Sequence, residues 1–197
     1  RPMGDDGEPT ADAELTDAAK PVLSPLMQEL NSLFEADPEI DEYGLMPGMD
    51  GTPFISEEHK LAISTAVVPE LVREAKALLG ARAHLSSATR VLLLASGDHY
   101  TGWNVRKALV VSGELEPSAE VTLTSLVFSV RAKAGNAWAH RRWALARTLP
   151  SDGDAASGAS CGAVEAAAGG TAVAPPPLLE RELDLCADLA MKHSKNY

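Results

Sequence analysis

Leu23, Leu26, Leu30, Leu33 and Phe34 recur at three- and four-residue intervals, which lays them along one face of a helix that must end before Pro38. Glu39 to Gly51, rich in turn residues and bearing Pro47, reads as an extended connector. A second helix is expected from Ser56, which suits an N-cap, with Glu57 and Glu58 in the first turn against the positive end of the helix dipole. Pro69 is expected to kink or split that helix. Leu71, Ala75, Leu78 and Leu79 then resume the apolar stripe until Gly80 stops it.

Beyond Gly80 the pattern repeats. Val91 to Leu94 lies about ten residues before Trp103, and Leu126 to Phe128 lies about ten before Trp138. The series Trp103, Asn104, Val105, Arg106, Lys107 aligns with Trp138, Ala139, His140, Arg141, Arg142, and the two tryptophans are 35 residues apart. That period is the length of a two-helix unit. Gly97 and Gly113 offer stops, Pro117 suits a first turn, and Asn136 suits a cap for the helix holding Trp138. Val121 to Val130 contains β-branched residues, yet its length and the Pro117 start favour helix. The expected fold is all-α: an α-α solenoid (superhelix) of tetratricopeptide-like helical hairpins, in which neighbouring units bury each other's apolar faces. No β-sheet is expected.

Composition divides the chain further. Residues 1–20 are acidic and lack apolar periodicity, so they read as a disordered lead. Residues 21–149 form the first part of the repeat domain. Residues 150–177, nearly all Ala, Gly, Ser and Pro, read as a flexible insertion. Residues 178–197 start a further repeat, with Pro177 before a stripe of Leu178, Leu179, Leu183, Leu185, Leu189 and Met191. Arg1 is not an initiator methionine and Tyr197 falls inside a repeat, so the chain is expected to be a fragment.

Charge is uneven. Residues 1–60 hold 15 Asp/Glu against 3 Lys/Arg, whereas residues 82–147 hold 9 Lys/Arg against 4 Asp/Glu. Two cysteines, Cys161 and Cys186, make neither a disulfide framework nor a metal cluster and fit a reducing cytoplasm. No apolar run approaches the length of a bilayer span, and no nucleic-acid partner is expected. His59, His84, His99 and His193 lack ligand spacing. Neither a glycine-rich phosphate loop nor a nucleophile elbow is present, so this stretch carries no complete active site.

The candidate residues are those of the repeat. Trp103, Trp138 and Trp143 suit packing between helices, with arginine stems lying over them. Arg106, Lys107, Arg141 and Arg142 fall at equivalent positions. Stacked units align them either into a basic face for phosphate or carboxylate partners or into a face paired with the protein's own carboxylates. His140 is open to two readings, an acid–base group or a hydrogen-bonded packing residue.

These residues carry a resemblance. Trp103 to Lys107, and Asn136 to Trp143 with Trp138, His140, Arg141 and Arg142, resemble the alpha-subunit repeat of protein prenyltransferases, whose signature is Asn-Tyr-x-x-Trp-x-x-Arg-Arg. Lys195, Asn196 and Tyr197 resemble the opening of a third copy. Asp37 to Pro47 and Thr101 to Gly113 are similar to an alpha-like member of that family. The resemblance spans about residues 22–148 and 178–197. It implies an alpha or alpha-like subunit, inactive alone, that wraps a barrel-shaped beta subunit, implied to be that of Rab geranylgeranyltransferase. The implied reaction joins a geranylgeranyl group to a cysteine of a protein substrate. Isoprenoid diphosphate would be the co-substrate and zinc would sit in the beta subunit, leaving no cofactor in this chain. The resemblance also implies that Lys133 contacts the diphosphate and that Tyr197 faces it. Departures are visible: Ala134 and Gly135 replace the family's Asn-Tyr pair. A tetratricopeptide-like scaffold without transferase activity, and a relative that only stabilises another protein, are the competing readings.

Overall fold

The computed structural model describes residues 21–148 and 177–192. Helix α1 (Pro25–Ala36) starts where Ser24 caps it, its hydroxyl oxygen accepting the Met27 amide, and it ends before Pro38. Met27 and Leu30 are buried, and Ser24 hydrogen-bonds the Glu74 carboxylate of α2 (Val68–Gly80), joining the two helices. Pro69 opens α2 instead of splitting a longer helix. Leu71, Ala75 and Leu78 form its buried stripe, and Gly80 ends it.

Between α1 and α2 the expected helix from Ser56 is absent, and a small three-stranded sheet takes its place. Strands β1 (Glu42–Met46), β2 (Phe54–Glu57) and β3 (Lys60–Ser64) lie in the order β1-β3-β2. β1 pairs parallel to β3 with Tyr43 opposite Leu61, and β2 pairs antiparallel with Ser56 opposite Leu61. Glu58 and His59 form the two-residue turn, both in the left-handed region (φ 47° and 62°), as a type I′ hairpin requires. Phe54, Leu61 and Ile63 are buried, so burial of one face of the hairpin outweighs the helix-start signals of Ser56, Glu57 and Glu58. His59 Nδ1 is bonded to Asp37 at 2.9 Å, fixing the turn against the end of α1. Part of the expected connector is therefore β1.

The rest of the described chain is helical. α3 (Leu85–Ala95) and α4 (Tyr100–Val111) form one hairpin, and α5 (Pro117–Arg131) and α6 (Gly135–Thr148) form the next. Pro117 is in the first turn of α5, and Gly113 follows the end of α4 with φ +79°, the left-handed stop that glycine adopts most readily. Asn136 is not the cap of α6. Instead Asp98, from the turn of the preceding hairpin, accepts the Asn136 amide at 2.9 Å, while the Asn136 side chain donates to the Asp98 carbonyl at 3.0 Å. The Tyr43 hydroxyl donates to the Leu94 carbonyl at 2.8 Å and the Tyr43 amide to Ser129, setting β1 against α3 and α5.

Helix α7 (Pro177–Lys192) packs on α5. Leu189 is buried and Leu185 partly so, while Leu183 and Met191 are exposed, which makes the apolar stripe narrower than its spacing implies. One core runs from Met27 and Leu30 through Leu61, Ile63 and Leu92 to Trp103, Val127 and Phe128. The expected lead, residues 1–20, and the expected insertion, 150–177 apart from Pro177, lie outside the described residues, as do the residues from 193 onward.

Candidate functional site

Each hairpin turns through a stretch whose carbonyl accepts an indole N–H from six residues on. Trp103 Nε1 donates to the Gly97 carbonyl at 2.7 Å, and Trp138 Nε1 donates to the Ala132 carbonyl at 2.8 Å. The two rings thus hold equivalent positions, as their spacing predicts. Their neighbours differ. Trp103 is buried and stacks on His140, centroids 4.5 Å apart, whereas the partly buried Trp138 stacks on Phe128 at 4.1 Å. Gly97 is where chain and core approach closely: a Cβ there would lie 2.7 Å from Val127 Cγ1.

Three residues after each tryptophan comes an arginine that reaches back to the first helix of its own hairpin. Arg106 Nη1 donates to the Ser86 carbonyl and Thr89 hydroxyl, both at 3.2 Å. Arg141 Nη1 donates to the Val121 carbonyl at 2.7 Å, the Thr124 hydroxyl at 2.9 Å and the Ser125 hydroxyl. Each arginine then takes a carboxylate from a later helix. Glu120 of α5 receives Arg106 Nε and Nη2, and Glu182 of α7 receives Arg141 Nε and Nη2, both with Nη2···O at 2.6 Å. The arginines are 3% and 4% exposed, so they form no basic face. They are buried buckles between helices, paired with the protein's own carboxylates.

Glu120 is fully buried, and burial pushes its carboxyl up. Hydrogen bonds from His140 and Arg106, and the charges of both, outweigh that and hold it below the usual carboxylate range. His140 Nε2 lies 2.7 Å from Glu120, its ring is stacked between Trp103 and Trp143, and its Nδ1 meets no partner among the described residues. Sealed from solvent, His140 works as a packing and hydrogen-bonding residue.

The remaining candidates sit at the surface. Asn104 and Arg142 are exposed. Lys107 Nζ is 5.6 Å and the Arg147 guanidinium 3.9 Å from the ring centroid of the partly buried Trp143. Lys133 is exposed in the turn between α5 and α6. It lines a polar cleft of about 330 Å³ with Ser96, Gly97, Asp98, Val130 and Arg131, and Arg131 donates to the Ala95 carbonyl across that cleft. Tyr197 lies outside the described residues, and so does Cys161; Cys186 is exposed and unbridged. Among the described residues no group of three or more His, Cys, Asp or Glu is placed to hold a metal ion, and no helix is long and apolar enough to cross a membrane.

Sequence reasoning missed the partners of the arginines. Thr89 and Thr124 are themselves 35 residues apart, a signal in plain view. Glu120 follows Arg106 by 14 residues, but Glu182 follows Arg141 by 41, an excess of 27 that hides the equivalence.

Tandem two-helix units tied by repeated tryptophan and arginine contacts define a helical-repeat protein. No family model matches the chain. It is similar over 94% of its length to curated proteins named protein prenyltransferase alpha subunit repeat-containing protein 1. Identity is 28% over 206 residues to form 1-A of Xenopus laevis, 29% over 207 residues to the Danio rerio protein, and 28% over 208 residues to the Homo sapiens protein. The resemblance carried by the motifs thus extends along nearly the whole chain. The matches cover 45%, 46% and 48% of those proteins, so the chain spans about half the length of the curated relatives it matches.

Proposed function

We propose that this chain is the repeat scaffold of an alpha-like subunit of a heterodimeric protein prenyltransferase, its hairpins forming the start of an α-α solenoid. The observation that carries this reading is the duplicated buckle, with equivalent Trp, Arg and Thr contacts 35 residues apart, in a chain similar to proteins named for prenyltransferase alpha subunit repeats. In this reading the chain works in the cytoplasm beside a beta subunit, that of Rab geranylgeranyltransferase. The beta subunit supplies the zinc and the lipid pocket, and a protein cysteine accepts a geranylgeranyl group from its diphosphate. The sulfur–carbon bond forms as the carbon–oxygen bond to diphosphate breaks, and negative charge grows on the departing oxygen. An ammonium stabilises such charge. Lys133, exposed on the rim of a cleft that also holds Arg131, is the group of this chain given that role.

A peptide-binding scaffold without transferase activity is the second reading. Against it, β1 already lies on α3 and α5 through Tyr43, occupying part of the surface such a scaffold would offer. Coexpression of the full-length protein with the beta chain separates the two readings. The subunit reading expects a stable complex, transfer by the pair, and none by the alpha-like chain alone. Absence of a complex, with capture of extended peptides instead, would sink it. Lys133→Ala is expected to slow single-turnover transfer by about 10- to 100-fold, less than loss of a buried oxyanion donor because Lys133 is exposed, with assembly intact. An unchanged rate removes Lys133 from the chemistry.

A further inference from the structure

Arg90, on α3, differs from the two buckle arginines. It is half-buried, its guanidinium carbon lies 4.6 Å from the centroid of the Phe34 ring, and no carboxylate or other acceptor bonds it among the described residues. Burial, and then the neighbouring Arg106, bring Arg90 down to about 10, against a weaker opposing pull from Glu35 and Glu120. It is still charged at neutral pH. Glu120 has no capacity to spare, since Arg106 and His140 both occupy it.

Arg90 lines a cavity of about 260 Å³ whose other walls include Phe34, Ile40, Leu115, Leu123 and Leu126. A half-buried guanidinium with no carboxylate bonded to it, at the edge of an apolar hollow, is better placed when an acceptor meets its free N–H groups. Contact with Phe34 occupies one side of the guanidinium and leaves N–H donors that match a carboxylate in pairs. A phosphate dianion would need a second cation, and the charge of the nearby Arg106 is already met by Glu120. The volume is below the roughly 300–1,000 Å³ of sites for drug-sized ligands.

We propose that this cavity binds a small monocarboxylate on an apolar stem, the carboxylate bridged by Arg90 and the stem lying against Ile40, Leu115, Leu123 and Leu126. The proposal is independent of the prenyltransferase reading.

Calorimetric titration of the full chain with octanoate tests it, with octanol and octyl phosphate as comparisons. The expected result is saturable one-site binding of octanoate, with octanol and octyl phosphate each weaker by about tenfold or more, the size of a lost charged hydrogen bond. Arg90→Met should weaken octanoate by a similar factor while the unfolding midpoint is retained. Ala119→Leu, also on the cavity wall, should weaken it by filling space. Should Arg90→Met fail to fold, Ala119→Leu and the octanol comparison decide. Absence of saturable binding, octanol binding as tightly as octanoate, tighter binding of octyl phosphate, or full affinity in folded Arg90→Met or Ala119→Leu would each overturn the proposal.

Discussion

The buckles at Arg106 and Arg141 share their backward contacts and differ in their forward ones. Each arginine reaches a threonine 17 residues before it and a carbonyl 20 before it. Forward, Arg106 meets a carboxylate that is 0% exposed and shared with His140, while Arg141 meets one that is 20% exposed, 41 residues on. The backward half is dictated by helix-hairpin geometry, which fixes separations in sequence. The forward half is a match between charged groups on different helices, and it forms whether the chain takes 14 residues or 41 to return. The difference in burial shows where the energy sits. A buried pair that loses one member leaves an uncompensated charge, whereas removing the partly exposed Glu182 opens a path for water to the arginine left behind.

Removing the forward carboxylates is the strongest way to break this comparison. Glu120→Ala strands Arg106 and His140 together and is expected to cost about 3–5 kcal/mol in urea unfolding. Glu182→Ala is expected to cost about 1–2 kcal/mol, with faster amide exchange confined to α7. Equal costs for the two would show that burial does not distinguish them. Next in size is the turn. Gly97→Ala drives a Cβ towards Val127 and should cost about 1–3 kcal/mol. At the matching position the second hairpin already carries Ala132, and Ala132→Gly should cost no more than about 1 kcal/mol by thermal melting.

The smallest effect concerns acid. The Glu120 carboxyl is held below the usual range when folded, so its stabilisation is complete above the unfolded value of about 4.3 and is lost as pH falls through the lower folded value. Glu120→Gln should therefore flatten the fall in melting temperature between neutral and strongly acidic pH, even though the variant starts less stable. A slope as steep as that of the parent chain would assign the acid sensitivity to other carboxylates.

The repeat phase was legible because Trp103 and Trp138 are rare residues at a fixed interval, flanked by Gly113 and Pro117 at the ends of helices. The hairpin at Phe54–Ser64 was not. Its type I′ turn uses Glu58 and His59 where glycine or asparagine would have announced it, and Ser56, Glu57 and Glu58 imitate a helix start. The start of α6 departs from its local sequence for a related reason. Asn136 has the right chemistry, but the acceptor comes from Asp98, 38 residues earlier, and local sequence holds no trace of that pairing. In the candidate site, Arg106 and Arg141 were recognisable as a pair, while their fate depended on Glu120 and Glu182. Only the geometry joining one unit to the next could reveal that the arginines are consumed internally. The Lys133 cleft likewise needs two turns, from residues 96–98 and 130–134, brought side by side.

The forward half of the buckle bears on how such proteins can grow. Arg106 ties α5, and Arg141 ties α7, to the helices before them by an arginine–carboxylate contact, over sequence separations of 14 and 41 residues. Closing a longer loop costs only about 0.6 kcal/mol for each doubling of its length. Changes in the length of the connection between α6 and α7 are therefore expected to cost little, provided that Arg141 and Glu182 are kept.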